Sequence, residues 1–87
     1  MAYSIGFRTV KVLEEVTEAD LDQSGAYVFL EVTNNGTSDV KFYVNDFAHQ
    51  GVKEQGIPIK AGTTRVIPMQ IYKFRATGPV TVVAYRM

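Results

Sequence analysis

The chain has no cysteine and no tryptophan among its 87 residues, and it has a single histidine, His49. Without cysteine, no disulfide and no thiolate metal site can stabilise a small fold. A nucleophilic triad needs a base, and His49 lies beside no recognisable nucleophile motif. The glycines form neither a phosphate-binding loop nor a dinucleotide fingerprint. We therefore predict that the protein is not an enzyme and holds no cofactor.

Long hydrophobic runs are also missing. The longest uninterrupted apolar stretch is residues 26–30, far short of the roughly 20 residues that a membrane-spanning helix needs. The first residues lack the basic flank and apolar run of a signal peptide. We expect a soluble protein made in a cytoplasm, with residues 1–87 forming one domain whose core is thin and leaves little room for a deep pocket.

The chain has no net charge, but its charges are unevenly distributed. Residues 1–46 hold eight acidic and three basic residues, and residues 47–87 hold one acidic and six basic residues. Unlike patches on different faces would let copies of the protein meet each other, or bridge surfaces of a larger lattice. The alternative is that strands from both halves alternate in space and neutralise each other within one copy. The interface candidates are Glu14, Glu15 and Glu18 on one side and Arg65, Lys73 and Arg75 on the other.

Alternating apolar and polar residues predict β-strands. Residues 26–33 and 39–45 both alternate, and they flank Asn35-Gly36, a pair that favours a tight β-hairpin turn. Further strands are predicted at 5–13, 57–59, 64–75 and 80–85, with a loop over 14–25 and turns at 60–63 and 77–79. About six short strands indicate an all-β fold, a small antiparallel sandwich or barrel. The residues expected to line its core are Val28, Leu30, Val32, Phe42 and Val44.

One acidic segment resembles a calcium-binding loop of the EF-hand type. Asp20, Asp22, Ser24 and Glu31 stand at positions 1, 3, 5 and 12 of such a loop, and Gly25 stands at position 6. An EF-hand loop, however, leads into a helix, whereas the residues here predict a strand. An extended strand carries Glu31 away from Asp20 by roughly 3.3 Å per residue. We therefore expect a solvated acidic loop and no bound calcium.

The basic half of the chain raises the possibility of nucleic-acid binding. Lys73, Phe74 and Arg75 alternate cations with an aromatic residue, and Tyr72 precedes them. Single-strand binders place stacking aromatics on a positively charged surface, but they are usually basic domains, and this chain is neutral. We expect aromatics that enter the core and cations that face solvent, and no nucleic-acid partner.

Two segments carry a resemblance to known proteins. Residues 29–44, FLEVTNNGTSDVKFYV, are similar to the strand–turn–strand unit of small immunoglobulin-like sandwich modules. Residues 57–69, IPIKAGTTRVIPM, resemble the stretch that follows this unit in many such modules. With residues 76–78 after it, this stretch also resembles small β proteins of tailed-bacteriophage virions, of the decoration, cement and head- or tail-completion class.

The resemblance implies a structural protein of a bacteriophage virion with an immunoglobulin-like sandwich fold. Its partners would be copies of itself or capsid and tail proteins, as a homo-oligomer or bound to a lattice, after assembly in the host cytoplasm. The alternative is an adhesion or carbohydrate-binding sandwich module. The missing signal peptide favours the virion protein, and so does the missing tryptophan, because carbohydrate-binding modules usually expose tryptophan platforms.

Overall fold

A computed structural model describes residues 8–21, 27–50 and 55–86. These residues form one helical turn, α1 (Phe47–Gln50), and six strands: β1 (Arg8–Asp20), β2 (Tyr27–Thr33), β3 (Val40–Val44), β4 (Ile57–Ile59), β5 (Thr64–Ile67) and β6 (Lys73–Arg86). All strand pairings are antiparallel, and the sheet curls into a nearly closed barrel. The predicted all-β antiparallel fold is confirmed. None of the helical segments in these ranges has the length and apolar character to cross a bilayer.

The long strand β6 organises the sheet. Along one edge it pairs with β3 through residues 74–76 and with β2 through residues 81–86. Along the other edge it pairs with β1 over nearly its whole length. Strand β5 extends the sheet from β2, and β4 extends it from β3. The sheet therefore has a β2–β5 half and a β3–β4 half, which share β1 and β6.

The core lies inside the curled sheet. Leu30, Val32, Phe42 and Val44 are all buried, as the alternation of the sequence predicts, whereas the side chain of Val28 lies outside the described residues. The rings of Phe42 and Phe74 stack with centroids 4.9 Å apart, so strand β6 supplies the other wall of this core. Full burial of a side chain of this size contributes about 1.5–3 kcal/mol to folding.

The prediction of a loop over residues 14–25 is wrong for its first part, because β1 continues to Asp20. Residues 22–25 lie outside the described residues. Within β1 the register shifts between Leu13 and Val16, and Glu15 has a φ of 52°. This is a β-bulge, which adds a residue to one strand and breaks its two-residue alternation. As a consequence, every third residue of this stretch faces the core, namely Leu13, Val16 and Ala19. This spacing differs from the two-residue period of a regular strand, so the sequence pattern does not indicate a strand here.

The prediction of one strand over residues 64–75 and a turn at 77–79 is also wrong. Strand β5 ends at Ile67, before Pro68, which cannot donate to a strand ladder. Residues 77–79 lie within β6, where β6 carries extra residues against β1 between the pairs Val16–Val80 and Glu18–Arg75. A Cβ atom on Gly78 would lie 2.9 Å from Val40 Cγ1, so glycine permits the close approach of β6 to β3 at this bend. The turn residues bend a continuous strand and do not end it.

The predicted hairpin around Asn35-Gly36 is wrong as well. Strand β2 pairs with β5 and β6 and does not pair with β3. The connection 34–39 instead crosses from one half of the sheet to the other, and Asn34, only 1% exposed, fixes it. Its Nδ2 donates to Ser38 O (2.9 Å) and Ile59 O (3.0 Å), while its Oδ1 accepts from Gly36 N (2.9 Å). The buried amide thus ties the crossover to β4.

The turn predicted at residues 60–63 is confirmed. Thr63 N donates to Lys60 O at 3.1 Å, and Gly62 has a φ of 76°, which is the third-position geometry of a type II turn. The backbone of Gly62 also donates to Asn34 O at 2.8 Å. The turn that joins β4 to β5 is therefore attached to the same asparagine as the crossover.

Candidate interaction surfaces

The structure brings part of the acidic set and part of the basic set together. Glu18 on β1 stands directly opposite Arg75 on β6, and Asp20 stands opposite Lys73. Their neighbours Ala19 and Phe74 face the core, so all four charged side chains belong to the outer face of the sheet. The segregation of charge along the sequence is not retained here, because acidic and basic residues become neighbours in one sheet. We call these four residues the charged strip.

The charged strip lines a shallow groove of about 330 Å³, which α1 borders through Ala48. The guanidinium of Arg75 lies over the ring of Tyr43, 5.5 Å from the centroid. Its buried Nε has no hydrogen-bond acceptor, and buried donors of this kind normally have one. The groove therefore contains a half-buried guanidinium that lies over an aromatic ring and whose Nε has no hydrogen-bond acceptor.

The remaining acidic candidates, Glu14 and Glu15, lie at the bulge of β1. Both are exposed, and Glu15 Oε2 accepts a hydrogen bond from Thr81 Oγ1 at 3.3 Å. Bulges and charged side chains on an edge strand hinder pairing with a strand of another molecule. This stretch of β1 is therefore protected against edge-to-edge association.

The last basic candidate, Arg65, closes the sheet. It pairs with Val32, a core residue, so its position in β5 belongs to the inner face. At the edge of the sheet its Nη1 donates to Pro58 O of β4 at 2.9 Å. The side chain of Arg65 is exposed, and a charge at the edge of β5 hinders pairing with a strand of another molecule. Arg65 therefore links β5 to β4, two strands that do not pair with each other.

A row of mainly apolar residues lies on the outer face of the β2–β5 half. Val12, Val83, Glu31 and Val66 form one row across β1, β6, β2 and β5. Val12 is 53% exposed and Val66 is 51% exposed. We call this set the valine row. It was missed at the level of sequence, because the four residues come from four separate strands and only the register aligns them.

Glu31, the acidic residue of the valine row, is held in place by a hydrogen bond from a tyrosine that stacks on a neighbouring phenylalanine. Tyr85 Oη donates to Glu31 Oε1 at 2.5 Å, and the ring of Tyr85 stacks on Phe29 with centroids 4.5 Å apart. A neighbouring row of threonines follows, in which the hydroxyls of Thr33 and Thr64 are hydrogen-bonded at 2.8 Å. Glu31 is therefore a partly buried carboxylate in a predominantly apolar surface.

The residues of the predicted calcium motif are not gathered in the described part of the chain. Asp20 ends β1 opposite Lys73, and Glu31 lies in the middle of β2 with its Oε1 bound by Tyr85. Asp22 and Ser24 lie outside the described residues. Within the described ranges, no group of three or more acidic or histidine side chains is placed to hold a metal ion.

We expect that a calorimetric titration with calcium will show no saturable heat. The calcium concentration should reach roughly the millimolar range, because the weakest extracellular calcium modules bind in that range. The strand β2 holds Glu31 in the valine row, so Glu31 does not close a calcium loop. The variants Asp20→Asn and Glu31→Gln are the matched controls. A saturable heat that either variant removes would contradict this prediction.

The side chain of Tyr72 makes the clearest electrostatic contact in the described chain. Its hydroxyl donates to Asp46 Oδ1. This hydrogen bond, followed by desolvation and the negative charge of Asp46, raises the pKa of Tyr72. A phenol with a raised pKa stays protonated at neutral pH, so Tyr72 is a hydrogen-bond donor and not a base or nucleophile. The neighbouring Asn45 accepts from Tyr72 N at 2.8 Å, which indicates a structural role for this corner.

No protein-family model matches the chain, and no curated protein is significantly similar to it.

Proposed function

We propose that the chain is a non-enzymatic structural protein of a bacteriophage virion, a capsid decoration, cement or head–tail part. It acts through protein–protein contacts and is assembled in the host cytoplasm. The observation that carries this proposal is the valine row, a line on the outer face of the sheet in which Val12 and Val66 are each about half exposed. Exposed apolar residues scattered singly are ordinary, whereas a contiguous set with a polar rim marks an interaction surface.

The geometry of the sheet favours contact through its face. Edge strands are the usual route by which sheets associate, and here β1 carries a bulge at Glu15 while β5 directs Arg65 onto β4. The outer face of the β2–β5 half has no comparable protection. A rigid face built on four paired strands is well suited to lie flat on a larger protein surface.

The chemistry of the row defines the surface that it fits. Val12, Val66 and Val83 offer apolar area, and Glu31 places one carboxylate among them. A partner needs an apolar patch with a basic group opposite Glu31, because a carboxylate that is desolvated without a cation is costly. A capsid or tail protein repeated in a lattice supplies such a surface many times. The resemblance to small immunoglobulin-like virion proteins supports the same class of partner.

The tyrosine whose pKa is raised does not belong to the valine row. The described residues place the tyrosine with a raised pKa, Tyr72, at a corner stabilised by Asn45. The groove along the charged strip is shallow and flanked by opposite charges.

The test is binding of variants to purified phage particles of the source host, measured by co-sedimentation. Val66→Glu adds a charge to the row, and we expect at least about tenfold weaker binding, equivalent to about 1.4 kcal/mol. Phe47→Glu is the matched control, because Phe47 is also an exposed apolar residue (40%) but lies in α1, beside the other half of the sheet. We expect the control to bind as the unaltered chain does.

Equal loss in both variants, or no loss in either, would contradict the assignment of the valine row. If the unaltered chain failed to bind particles but bound immobilised glycans, the adhesion or carbohydrate-binding alternative would replace the proposal.

A further inference from the structure

The connection between β2 and β3 contains the one asparagine–glycine step of the chain, Asn35–Gly36. Both residues are exposed, whereas the preceding Asn34 is buried. Asparagine is a thermally labile residue, because its side-chain carbonyl carbon lies within reach of the backbone nitrogen of the next residue. A side chain on that next residue crowds the approach, and glycine has none. The step therefore combines an accessible electrophile with an uncrowded nucleophile.

We propose that Asn35 is a site of spontaneous deamidation through a succinimide formed with Gly36, and that Asn34 limits the rate of this modification. The backbone N of Gly36 loses its proton and attacks Cγ of Asn35. The N–Cγ bond forms, the Cγ–Nδ2 bond breaks, and Nδ2 leaves as ammonia after taking a proton from water. Water then opens the ring, and nothing is oxidised or reduced. Cleavage of the N–Cγ bond gives aspartate, and cleavage between Gly36 N and the main-chain carbonyl carbon of Asn35 gives isoaspartate.

The surroundings of the step leave room for the ring and for water. A Cβ atom added to Gly36 would lie 3.3 Å from Asn34 Oδ1, and no other described residue apart from its chain neighbours comes within 4 Å of that position. The connection also lines an open groove of about 290 Å³, together with Glu15 and residues 77–79. Because the two reacting groups belong to adjacent residues, their effective concentration is high.

Asn34 restrains the nucleophile of this reaction. Gly36 N donates to Asn34 Oδ1 at 2.9 Å. The Nδ2 of the same side chain donates to Ser38 O and Ile59 O, which fixes Asn34 in its buried position. The amide of Gly36 must leave this acceptor before it attacks Asn35. A hydrogen bond of ordinary net strength slows such a step by about twofold to tenfold.

The other two asparagines of the chain, Asn34 and Asn45, provide internal references. Each is followed by a residue that carries a side chain, Asn35 and Asp46 respectively. The amide of Asn45 is also engaged, because its Nδ2 and Oδ1 both form hydrogen bonds with backbone atoms of residues 70–72. The amide of Asn34 is buried and makes three hydrogen bonds. The modification is therefore expected to be confined to Asn35.

The modification changes both the charge and the course of the crossover. Either product places a new carboxylate at position 35, in the wall of the groove that Glu15 and Asp39 also line. Isoaspartate in addition inserts a methylene group into the main chain of a connection that β2 and β3 hold at its two ends. Both products are more acidic than the unmodified chain, so ion exchange separates them from it.

This inference does not rest on the proposed function, because the reaction is followed on the purified chain alone. Prolonged incubation in mildly alkaline buffer, followed by peptide mapping with mass spectrometry, measures the loss of amide at each asparagine. We expect aspartate and isoaspartate to accumulate at Asn35 faster than at Asn34 or Asn45. A folded chain in which Asn35 reacts no faster than the other two asparagines overturns the proposal.

The role of Asn34 is tested by removing the acceptor of Gly36 N. Asn34→Ala is expected to raise the rate at Asn35 by about twofold to tenfold. Leu30→Ala is the matched control, because Leu30 is fully buried in the core and its truncation weakens the fold without removing a hydrogen bond of the connection 34–39. We expect this control to react as the unaltered chain does. Equal acceleration in both variants, or none in Asn34→Ala, overturns the role of Asn34.

Circular dichroism at the incubation temperature checks that the variants are folded. In urea neither the unaltered chain nor Asn34→Ala has the hydrogen bond to Gly36 N, so the two are expected to react at the same rate. If Asn34→Ala does not fold, the unaltered chain in urea takes its place, and its rate at Asn35 is expected to exceed that of the folded chain at least about twofold. Equal rates in the folded and the urea-unfolded chain overturn the protection by Asn34.

Discussion

Replacing Asn34 by alanine is expected to lower the free energy of unfolding by about 3–5 kcal/mol. The change removes a buried hydrogen bond to Ile59 O, at a cost of about 1–3 kcal/mol, and two part-buried hydrogen bonds, with Ser38 O and Gly36 N, that contribute about 0.5–1.5 kcal/mol each. Urea unfolding monitored by circular dichroism measures the loss. An effect of this size is a large fraction of the total stability of a small domain.

Two further variants at this position identify the cause. Asn34→Asp keeps the shape of the side chain but replaces the amide donor with an oxygen that faces two carbonyls, and we expect it to destabilise at least as much as alanine. Asn35→Ala alters the adjacent, exposed asparagine and should change the stability by less than about 0.5 kcal/mol. Similar losses at positions 34 and 35 would mean that the connection 34–39 is not fixed by the buried amide.

Leu30→Ala is expected to destabilise the protein by about 2–5 kcal/mol. Leu30 is fully buried between β5 and β6, so its truncation leaves a cavity in addition to the lost apolar contact. The matched control is Val66→Ala in the adjacent strand, half exposed, which should change the stability by about 0.5 kcal/mol or less. A loss below about 1 kcal/mol for Leu30→Ala would mean that Leu30 does not lie on the core face of β2.

The strands with regular alternation were predictable from the sequence. In β2 and β3 the residues at every second position, Leu30 and Val32 in one strand and Phe42 and Val44 in the other, are buried as expected. The turn at Gly62 was predictable too, because glycine adopts a positive φ at little cost. Local chemistry is sufficient for such elements, since nothing elsewhere in the chain alters their period or their turn.

The elements that were predicted wrongly depend on partners that are distant in the sequence. The bulge at Glu15 changes the spacing of core residues in β1, and β1 is held as a strand by pairing with β6, more than fifty residues away. Asn34 and Gly36 are residue types that favour a hairpin turn. Strand β2, however, pairs with β6, so the chain after β2 crosses to the other half of the sheet and does not fold back onto β2. Turn residues permit a reversal of the chain without determining which strands then pair.

The interaction surfaces were predictable only in part. Charge segregation drew attention to Glu18, Lys73 and Arg75, which do lie together, whereas Arg65 lies apart from them on β5 and donates to Pro58 O. The charged strip and the valine row exist only through register, since each combines residues from separate strands. A shift of one residue in the pairing of β1 with β6 would move the acids of the strip to the core side. Surfaces of this kind can be predicted only when the strand order and the register of the sheet are known.

The proposed function predicts a fixed place in a particle, and quantitative mass spectrometry of gradient-purified virions from the source host measures this most directly. If the chain is a decoration, cement or head–tail protein, it will remain in the particle fraction in a constant ratio to the major capsid protein across independent preparations. Glu variants of the valine row will reduce that ratio, and Phe47→Glu will not. A chain that is expressed in the same cells but is missing from the purified particles would contradict the account.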